Sequence, residues 1–224
     1  MIPVVALVVA KAPVPGLAKT RLAASIGDRA AADIAAAALL DTLDAVAIAP
    51  VQARVVAMTG DLDAASASEE IRTRLEAFTV VPQRGDTFAD RLANAHIDAA
   101  VAAGNRTVLQ IGMDTPQVSA EMIVECAHEL VGAGAVLGLA DDGGWWVLGV
   151  SDAAMADCLR TVPMSQLDTG ALTLAALYGK GIDVTRVAEL ADVDTIDDID
   201  AVRRVCAADS RFARATAAVR AVGA

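Results

Sequence analysis

One segment constrains this chain more than any other. Val4-Val5-Ala6-Leu7-Val8-Val9 is a continuous apolar run with no polar alternation. Such a run fits a strand buried on both faces, which needs a helical layer on each side. Shorter runs of the same kind follow at Arg54–Met58, Phe78–Val81, Thr107–Ile111, Ala135–Gly138, Trp145–Val150 and Asp183–Val187. Between them lie alanine-rich stretches with helical character. The pattern predicts helices over Asp28–Ala47, up to Leu75, from Thr87 to about Ala103, and over Ser119–Val131, Thr169–Tyr178, Thr195–Cys206 and Ser210–Val219. Capping-box spacing marks three of the starts, at Ser25/Asp28, Thr87/Asp90 and Thr195/Asp198. Strand–helix alternation of this kind predicts an α/β fold with a mainly parallel, mixed sheet and helices on both faces. Residues 1–224 are expected to form one domain. Ligands in such sheets bind at the carboxyl ends of the strands, so the loops after the strands are where chemistry is sought.

Aromatics make up only 3% of the residues, so the core must be built from Ala, Val, Leu and Ile, with helices close to the sheet. The net charge is −11, from 29 acids against 18 bases, which argues against nucleic acid as a partner. It leaves room for a small phosphorylated ligand, which needs only a local basic loop. Cys126, Cys158 and Cys206 are far apart and form no CxxC pair, so neither a disulfide framework nor a zinc site is expected. They read as small helix-face hydrophobes in a reducing, cytoplasmic setting. Met1–Ala10 contains Pro3, is followed by Lys11, and falls well short of the roughly 20 residues a membrane helix needs. No basic segment precedes it, so no signal peptide and no membrane partner are expected.

Four loops carry candidate chemistry. The first, Lys11-Ala12-Pro13-Val14-Pro15-Gly16-Leu17-Ala18-Lys19-Thr20-Arg21, follows the first strand directly. Lys11, Lys19, Arg21 and Arg29 face only Asp28 among the first 30 residues, a local excess of base in an acidic chain. Its prolines stiffen the loop, and Gly16 lets the backbone approach a ligand. Lysine and arginine then offer charge to phosphate oxygens, and a helix start just beyond would add to it. The glycines of a P-loop are missing, and no G-x-G-x-x-G occurs. The second loop is Gly112-Met113-Asp114-Thr115-Pro116, where a carboxylate at a strand tip can hold Mg²⁺ or Mn²⁺. An Asx turn ahead of Pro116 is the plainer explanation.

The third is Asp141-Asp142-Gly143-Gly144-Trp145-Trp146. It reads as a turn that can wrap a ligand, with one tryptophan in the core and the other facing away. The fourth is Asp192-Val193-Asp194-Thr195, whose i, i+2 spacing puts both carboxylates on one side of an extended segment. Compensation of the following helix dipole explains Asp197 and Asp198 better than it explains Asp192 and Asp194. His96 and His128 lack partners at ligand spacing and read as structural or exposed.

Taken in order, AKAPVPGLAKTRL, QRGDTFADRL, IGMDTP, ADDGGWWVLG, VPMSQLDTGALTLAAL and LADVDTIDDID resemble a family of bacterial glycosyltransferase-A-like (GT-A) proteins. That family is labelled radical-SAM/selenodomain-associated transferase 1 and is similar to the phospholactate and molybdenum-cofactor guanylyltransferases. The resemblance covers nearly the whole chain. It implies a GT-A-type domain that uses a nucleotide and a divalent metal, Mg²⁺ or Mn²⁺. By that resemblance Lys11, Ala12, Pro13, Gly16, Lys19, Arg21, Asp86 and Arg91 belong to nucleotide binding. Asp114, Asp192 and Asp194 belong to the metal, and Lys19, Arg21 and Asp114 to catalysis. Asp142, Gly143, Gly144, Ser165, Thr169 and Gly170 belong to the acceptor side. Leu139-Ala140-Asp141 replaces the family's more usual Pro-Ala-Glu, and Gln166-Leu167 a more usual Thr-Pro. Both departures fall on the acceptor side.

The function implied is a metal-dependent nucleotidyl or glycosyl transferase. Its partners would be a nucleotide or nucleotide-sugar donor and a small-molecule acceptor. The rival from another class is a nucleotide-binding or regulatory module without turnover. The basic loop and the three acidic positions, all present, weigh against it. The loops at Lys11–Thr20, Gly112–Pro116 and Asp192–Thr195 are expected to converge.

Overall fold

The computed structural model describes residues 1–219. Among them, seven strands form one sheet: β1 (Ile2–Lys11), β2 (Val51–Thr59), β3 (Thr79–Pro82), β4 (Val108–Gly112), β5 (Ala135–Leu139), β6 (Trp145–Val150) and β7 (Val184–Arg186). Their order is β3-β2-β1-β4-β6-β5-β7. β1 lies inside the sheet and pairs in parallel with both β2 and β4. That position explains its unbroken apolar run. Val4, Ala6 and Val8 enter the core on one face of the sheet, Val5, Leu7 and Val9 on the other. β6 runs antiparallel to β4 and to β5. The sheet is thus parallel except for this one strand, which the turn around Asp142-Gly143 reverses.

The helices are α1 (Thr20–Ile26), α2 (Asp28–Ile48), α3 (Ser68–Leu75), α4 (Phe88–Ala103), α5 (Ala120–Gly132), α6 (Thr169–Gly179), α7 (Ile196–Val205) and α8 (Arg211–Ala215). Leu39, Leu40 and Leu43 of α2, Ile71 of α3, and Ile123 and Leu130 of α5 pack on one face of the sheet. Leu92 and Ala95 of α4, Leu177 of α6, and Leu159 from the segment between β6 and α6 pack on the other. Leu159 belongs to a 3₁₀ helix, Ala153–Thr161, that the sequence pattern left unassigned. Both tryptophans behave as strand alternation requires. Trp146 is buried on the α2/α5 face, and Trp145 packs half-buried on the α4 face. None of the described helices is long and apolar enough to cross a membrane.

The helix expected over Asp28–Ala47 forms as α2, and two other features at the start of the chain differ from expectation. The helix expected from Asp28 is preceded by a separate one, α1, so Thr20 and Arg21 are helical residues. Gly27, at φ 86°, breaks the two apart. Ser25 therefore lies inside α1 instead of capping α2, and the Ser25/Asp28 capping box does not form. The boxes at Thr87/Asp90 and Thr195/Asp198 do form. The last helix is also shorter than expected, Arg211–Ala215.

A third cluster stands beside the sheet. Leu22 of α1, Ile34 and Ala38 of α2, Val193, Ile199 and Val202 of the α7 segment, and Phe212 of α8 pack together. Polar contacts lock it. The Asp41 carboxylate of α2 accepts from the backbone N–H groups of Arg211 and Phe212 at 3.0 and 2.8 Å. The Arg211 guanidinium pairs with Asp44 and Glu70. α7, and with it the acidic segment before it, is thereby held against α1 and α2.

His96 of α4 is fully buried. Its Nδ1 lies 3.1 Å from the Leu92 carbonyl, and its Nε2 has no hydrogen-bond partner among the described residues. Burial holds the imidazole well below its ordinary range, at about 4. The unfolded chain takes up this proton near 6.5 and the folded chain only near 4. Stability is therefore complete above the unfolded value and is lost as pH falls from about 6.5 toward 4. In urea unfolding, the drop in stability between pH 7 and pH 4.5 is expected to be smaller in His96→Leu than in the wild type. An equal drop in both would show that His96 does not contribute to the acid response.

Candidate functional site

Strand order reverses between β1 and β4. From β1 the chain moves to β2 and β3 on one side, then returns to β4 on the other. The loops that leave β1 and β4 therefore diverge, and a crevice opens at their carboxyl ends. Lys11 ends β1 and Asp114 lies just past β4, so both stand at this crevice.

Lys19 reaches across it. Its backbone, at φ 45° and ψ 53°, takes the left-handed conformation that non-glycine residues rarely adopt. Its Nζ donates to Asp114 Oδ2 at 2.7 Å and to Asp194 Oδ1 at 3.0 Å. Arg21, the second residue of α1, pairs with the other oxygen of Asp194 at 3.1 Å. The lysine side chain is only 12% exposed, against 36% and 30% for the two carboxylates. Burial works against the ammonium, but the two carboxylates outweigh it and hold Lys19 above the ordinary lysine range. Burial likewise opposes the Asp114 carboxylate, and the Lys19 charge and hydrogen bond hold it below the usual range.

The acidic pair is built as its spacing requires. Val193 points into the third cluster and is buried, while Asp192 and Asp194 face the crevice. The Asp198 carboxylate accepts from the backbone N–H groups of Asp194 and Thr195, which fixes Asp194 against the start of α7. Oxygen atoms of Asp114, Asp192 and Asp194 all lie within 4.8 Å of one another. Burial first, then the charges of Asp142, Asp114 and Asp194, push the Asp192 carboxyl up to about 7. The crowding of negative charge is only half relieved by Lys19.

Two cavities meet at these carboxylates. A smaller one, about 280 Å³, runs under the first loop along Lys11, Ala12, Ala18, Lys19 and Arg21. A larger one, about 540 Å³, opens over the α4 side and reaches Arg91, Gln110, Asp142, Gly144 and Trp145. Lys11, Arg21, Met113, Asp114 and Asp194 line both. Ser165 and Thr169 also line the larger cavity. Gly143 and Gly170 sit behind its wall, where the Asp142 turn locks onto the segment before α6. Gly170 N–H donates to the Gly143 carbonyl at 2.7 Å, and a Cβ on Gly143, at φ 88°, would lie 1.9 Å from the Leu167 carbonyl oxygen.

Of the residues expected at the site, three stand apart. Asp86 is exposed and lines neither cavity, because the turn before α4 carries it outward. Gly16 is exposed at φ 78°, where it turns the loop, and also lines neither. Pro13 is buried beneath the loop, its carbonyl accepting from Ser66 N–H. The Lys11 ammonium closes on the Leu17 carbonyl of its own loop at 2.9 Å. Arg91 lines the larger cavity and not the smaller one. The reading of the residues passed over Gln83, Gln110 and Met164, which also line the larger cavity. Gln83 and Met164 lie in two of the quoted motifs but carry no charge or metal-ligating group that singles them out, and Gln110 sits within an apolar strand. Their positions depend on which strand ends meet.

The model of a family described as "Uncharacterized protein conserved in bacteria (DUF2064)" matches residues 42–166. No curated protein matches the chain in sequence. Among solved structures, a protein described as a nucleotide-diphospho-sugar transferase from Desulfovibrio desulfuricans G20 is similar at a TM-score of 0.83 and 23% identity, over 98% of this chain and 97% of that one. The 4-diphosphocytidyl-2C-methyl-D-erythritol synthase from Anaerococcus prevotii DSM 20548 is similar at a TM-score of 0.59 and 15% identity, over 89% and 94%. A CMP:2-keto-3-deoxy-manno-octonic acid synthetase complexed with CTP is similar at 0.53 and 11%, over 91% and 98%. The chain thus has the nucleotide-diphospho-sugar transferase fold.

The donor set fits a hard divalent cation. It consists of carboxylate oxygens from three residues, close together and on backbone fixed by β4 and α7. The Lys19 ammonium bridges two of the three, so the site already draws positive charge. Mg²⁺ or Mn²⁺ is expected to raise the melting temperature in a concentration-dependent way. Occupancy at a hundredfold excess over the dissociation constant corresponds to about 2.7 kcal/mol. The rise should disappear in Asp114→Asn and grow in Lys19→Met, which removes the competing ammonium. Scanning fluorimetry checks both, and an undiminished rise in Asp114→Asn would exclude that residue as a ligand.

Proposed function

The chain belongs to the DUF2064 family, and we propose that it is a transferase that draws a nucleotidyl or glycosyl group from a nucleoside triphosphate or nucleotide sugar and passes it to a small acceptor. One observation carries this reading. The carboxylates of Asp114, Asp192 and Asp194, with the cations of Lys19 and Arg21 on them, lie where a basic cavity meets a larger, mixed one. A donor with a charged phosphate tail and an acceptor approaching from the other side need that arrangement. The fold supports it, since structures that share it include proteins named as nucleotide-diphospho-sugar transferase and as a synthetase complexed with CTP. The sequence resemblance to the radical-SAM/selenodomain-associated transferases points the same way.

In this reading the smaller cavity takes the donor's phosphates, with Lys11, Lys19 and Arg21 as the cations and the backbone of Ala12, Pro13 and Gly16 shaping the loop. Asp114, Asp192 and Asp194 hold a divalent cation, which supplies neutralisation of phosphate charge. Lys19 exchanges its carboxylate partners for phosphate oxygens. Together with Arg21 it stabilises the negative charge that develops on the departing pyrophosphate or nucleoside diphosphate. Asp142, Gly144, Ser165 and Thr169 form the acceptor side. In nucleotidyl transfer an acceptor oxygen bonds to the α-phosphorus as the α–β bridge breaks. In glycosyl transfer it bonds to the sugar carbon as the bond to the diphosphate breaks.

Calorimetric titration of GTP, CTP and UDP-glucose with Mg²⁺ at fixed salt tests the donor half. Lys19→Ala is expected to weaken binding about tenfold to a hundredfold, the loss of one charge-assisted hydrogen bond of roughly 1.5–3 kcal/mol. Circular dichroism verifies the fold of the variant. Equal affinity in the two folded proteins would remove the loop from the site, and no binding of any donor by the wild type would overturn the reading. Saturable binding with no release of pyrophosphate or nucleoside diphosphate across an acceptor panel would favour the module without turnover.

A further inference from the structure

Arg91 stands out among the arginines of this acidic chain. Arg84 pairs with Asp98, Arg160 with Asp90 and Asp157, and Arg211 with Asp44 and Glu70. Among the described residues Arg186, Arg204 and Arg214 form no ion pair but are exposed, and half-buried Arg54, also without a carboxylate, donates to the Val46 and Ala49 carbonyls. Arg91 is half-buried, and among the described residues its side chain has no hydrogen-bond acceptor and no carboxylate partner. Its Nε is buried. The nearby Asp90 is already taken, accepting from Arg160 and from the Thr87 hydroxyl. What Arg91 does have is the Phe88 ring, 5.6 Å from its guanidinium carbon. A cation–π contact offsets only part of the cost of burying a charge.

The same cavity holds a second orphan donor. The indole Nε1 of Trp145 is buried without a partner among the described residues, whereas that of Trp146 donates to the Ala188 carbonyl at 2.8 Å. Trp145 and α4 lie on the same face of the sheet, and both Arg91 and Trp145 line the larger cavity. Gln110, itself buried in the middle of β4, adds an amide whose Oε1 is unpartnered among the described residues. Two unspent donors, one of them charged, on residues that line one cavity ask for an acceptor that carries negative charge. A neutral carbonyl would satisfy hydrogen bonds but leave the guanidinium charge uncompensated. An oxyanion satisfies both.

We propose that Arg91 and the Trp145 indole N–H bind an oxyanion, a carboxylate or a phosphate monoester, carried by the acceptor substrate, whose apolar body rests on Phe88, Met164 and Leu167. This deepens the transferase reading and rests on it only for the word acceptor. It moves Arg91 from the nucleotide, where the sequence resemblance put it, to the second substrate. The cavity orients such a molecule. Asp114, Asp142, Asp192 and Asp194 line it as well, and of its other cations Arg21 is paired with Asp194 while the Lys11 ammonium closes on the Leu17 carbonyl, so an anion is repelled from the carboxylate end and drawn to Arg91. The uncharged, nucleophilic end is left toward Asp114.

Calorimetry with phenyl phosphate, benzoate and neutral benzamide as probes tests this on the full chain. The wild type is expected to bind at least one anionic probe about tenfold or more tighter than benzamide, and whichever it prefers identifies phosphate or carboxylate. Arg91→Gln should lose about tenfold for that probe, the scale of one charge-assisted contact. Trp145→Phe should lose several-fold, and Arg91→Lys, which keeps the charge without the planar fork, should fall between. Arg91→Lys also serves if Arg91→Gln does not fold. GTP and CTP with Mg²⁺, titrated into the same variants, should bind as they do to the wild type. Probe affinity unchanged in folded Arg91 variants overturns the proposal. So does a wild type that binds no anionic probe, or nucleotide affinity lost in Arg91→Gln while probe affinity is kept. Probe binding through Arg91 in a protein that binds no nucleotide would sustain the anion site and sink the transferase reading instead.

Discussion

The double ion pair of Lys19 with Asp114 and Asp194 is the contact on which the site depends. It joins three segments that the sequence separates widely: the loop after β1, the tip of β4 and the approach to α7. The ammonium sits among acids that would otherwise repel one another, and its backbone is held in a left-handed conformation to reach them. Such a bond is a placeholder as much as a brace. A divalent cation can take its position on the carboxylates, and phosphate oxygens can take the carboxylates' position on the lysine. In the proposed function, that exchange would couple the arrival of metal and donor to a rearrangement of the first loop.

The rest of the architecture keeps this contact in register. The parallel strands β1 and β4 set the positions of Lys11 and Asp114 to within the pleat of the sheet. The acidic pair has no strand to hold it. It depends on the cluster around Phe212 and on the clasp of Arg211 with Asp44 and Glu70. The five-residue helix α8 thereby acts on a site whose cations come from the loop after β1. The opposite wall, over α4, is set by different contacts, the Asp142 turn packed on the segment before α6. One cavity is therefore basic and narrow and the other wide and mixed in character, with the carboxylates between them.

Much of the fold was legible because it is written in local periodicity. The run Val4–Val9 could only be a strand covered on both faces. The Asp142-Gly143 pair marked the one reversal in an otherwise parallel sheet, and the Thr87/Asp90 and Thr195/Asp198 boxes marked two true helix starts. The Ser25/Asp28 box misled because its spacing is the same while Gly27 breaks the helix between its members. The 3₁₀ helix at Ala153–Thr161 escaped because its residues carry no clear period of either kind. Asp86, part of a motif, turned out to face solvent.

The sequence by itself determined the alternation of strands and helices, and the side on which each acid of the Asp192/Asp194 pair would face. These follow from bond geometry along a short stretch of chain, where the period of side chains is set by the backbone. It also determined the local excess of base after β1. Only the tertiary structure decided that Lys19 reaches Asp114 and Asp194, that Arg91 is left without a carboxylate, and that the two tryptophan N–H groups have different fates. Partnership of a charge depends on which distant groups come within a few ångströms and which are claimed by others. That is a property of packing in three dimensions, and no local pattern of residues encodes it.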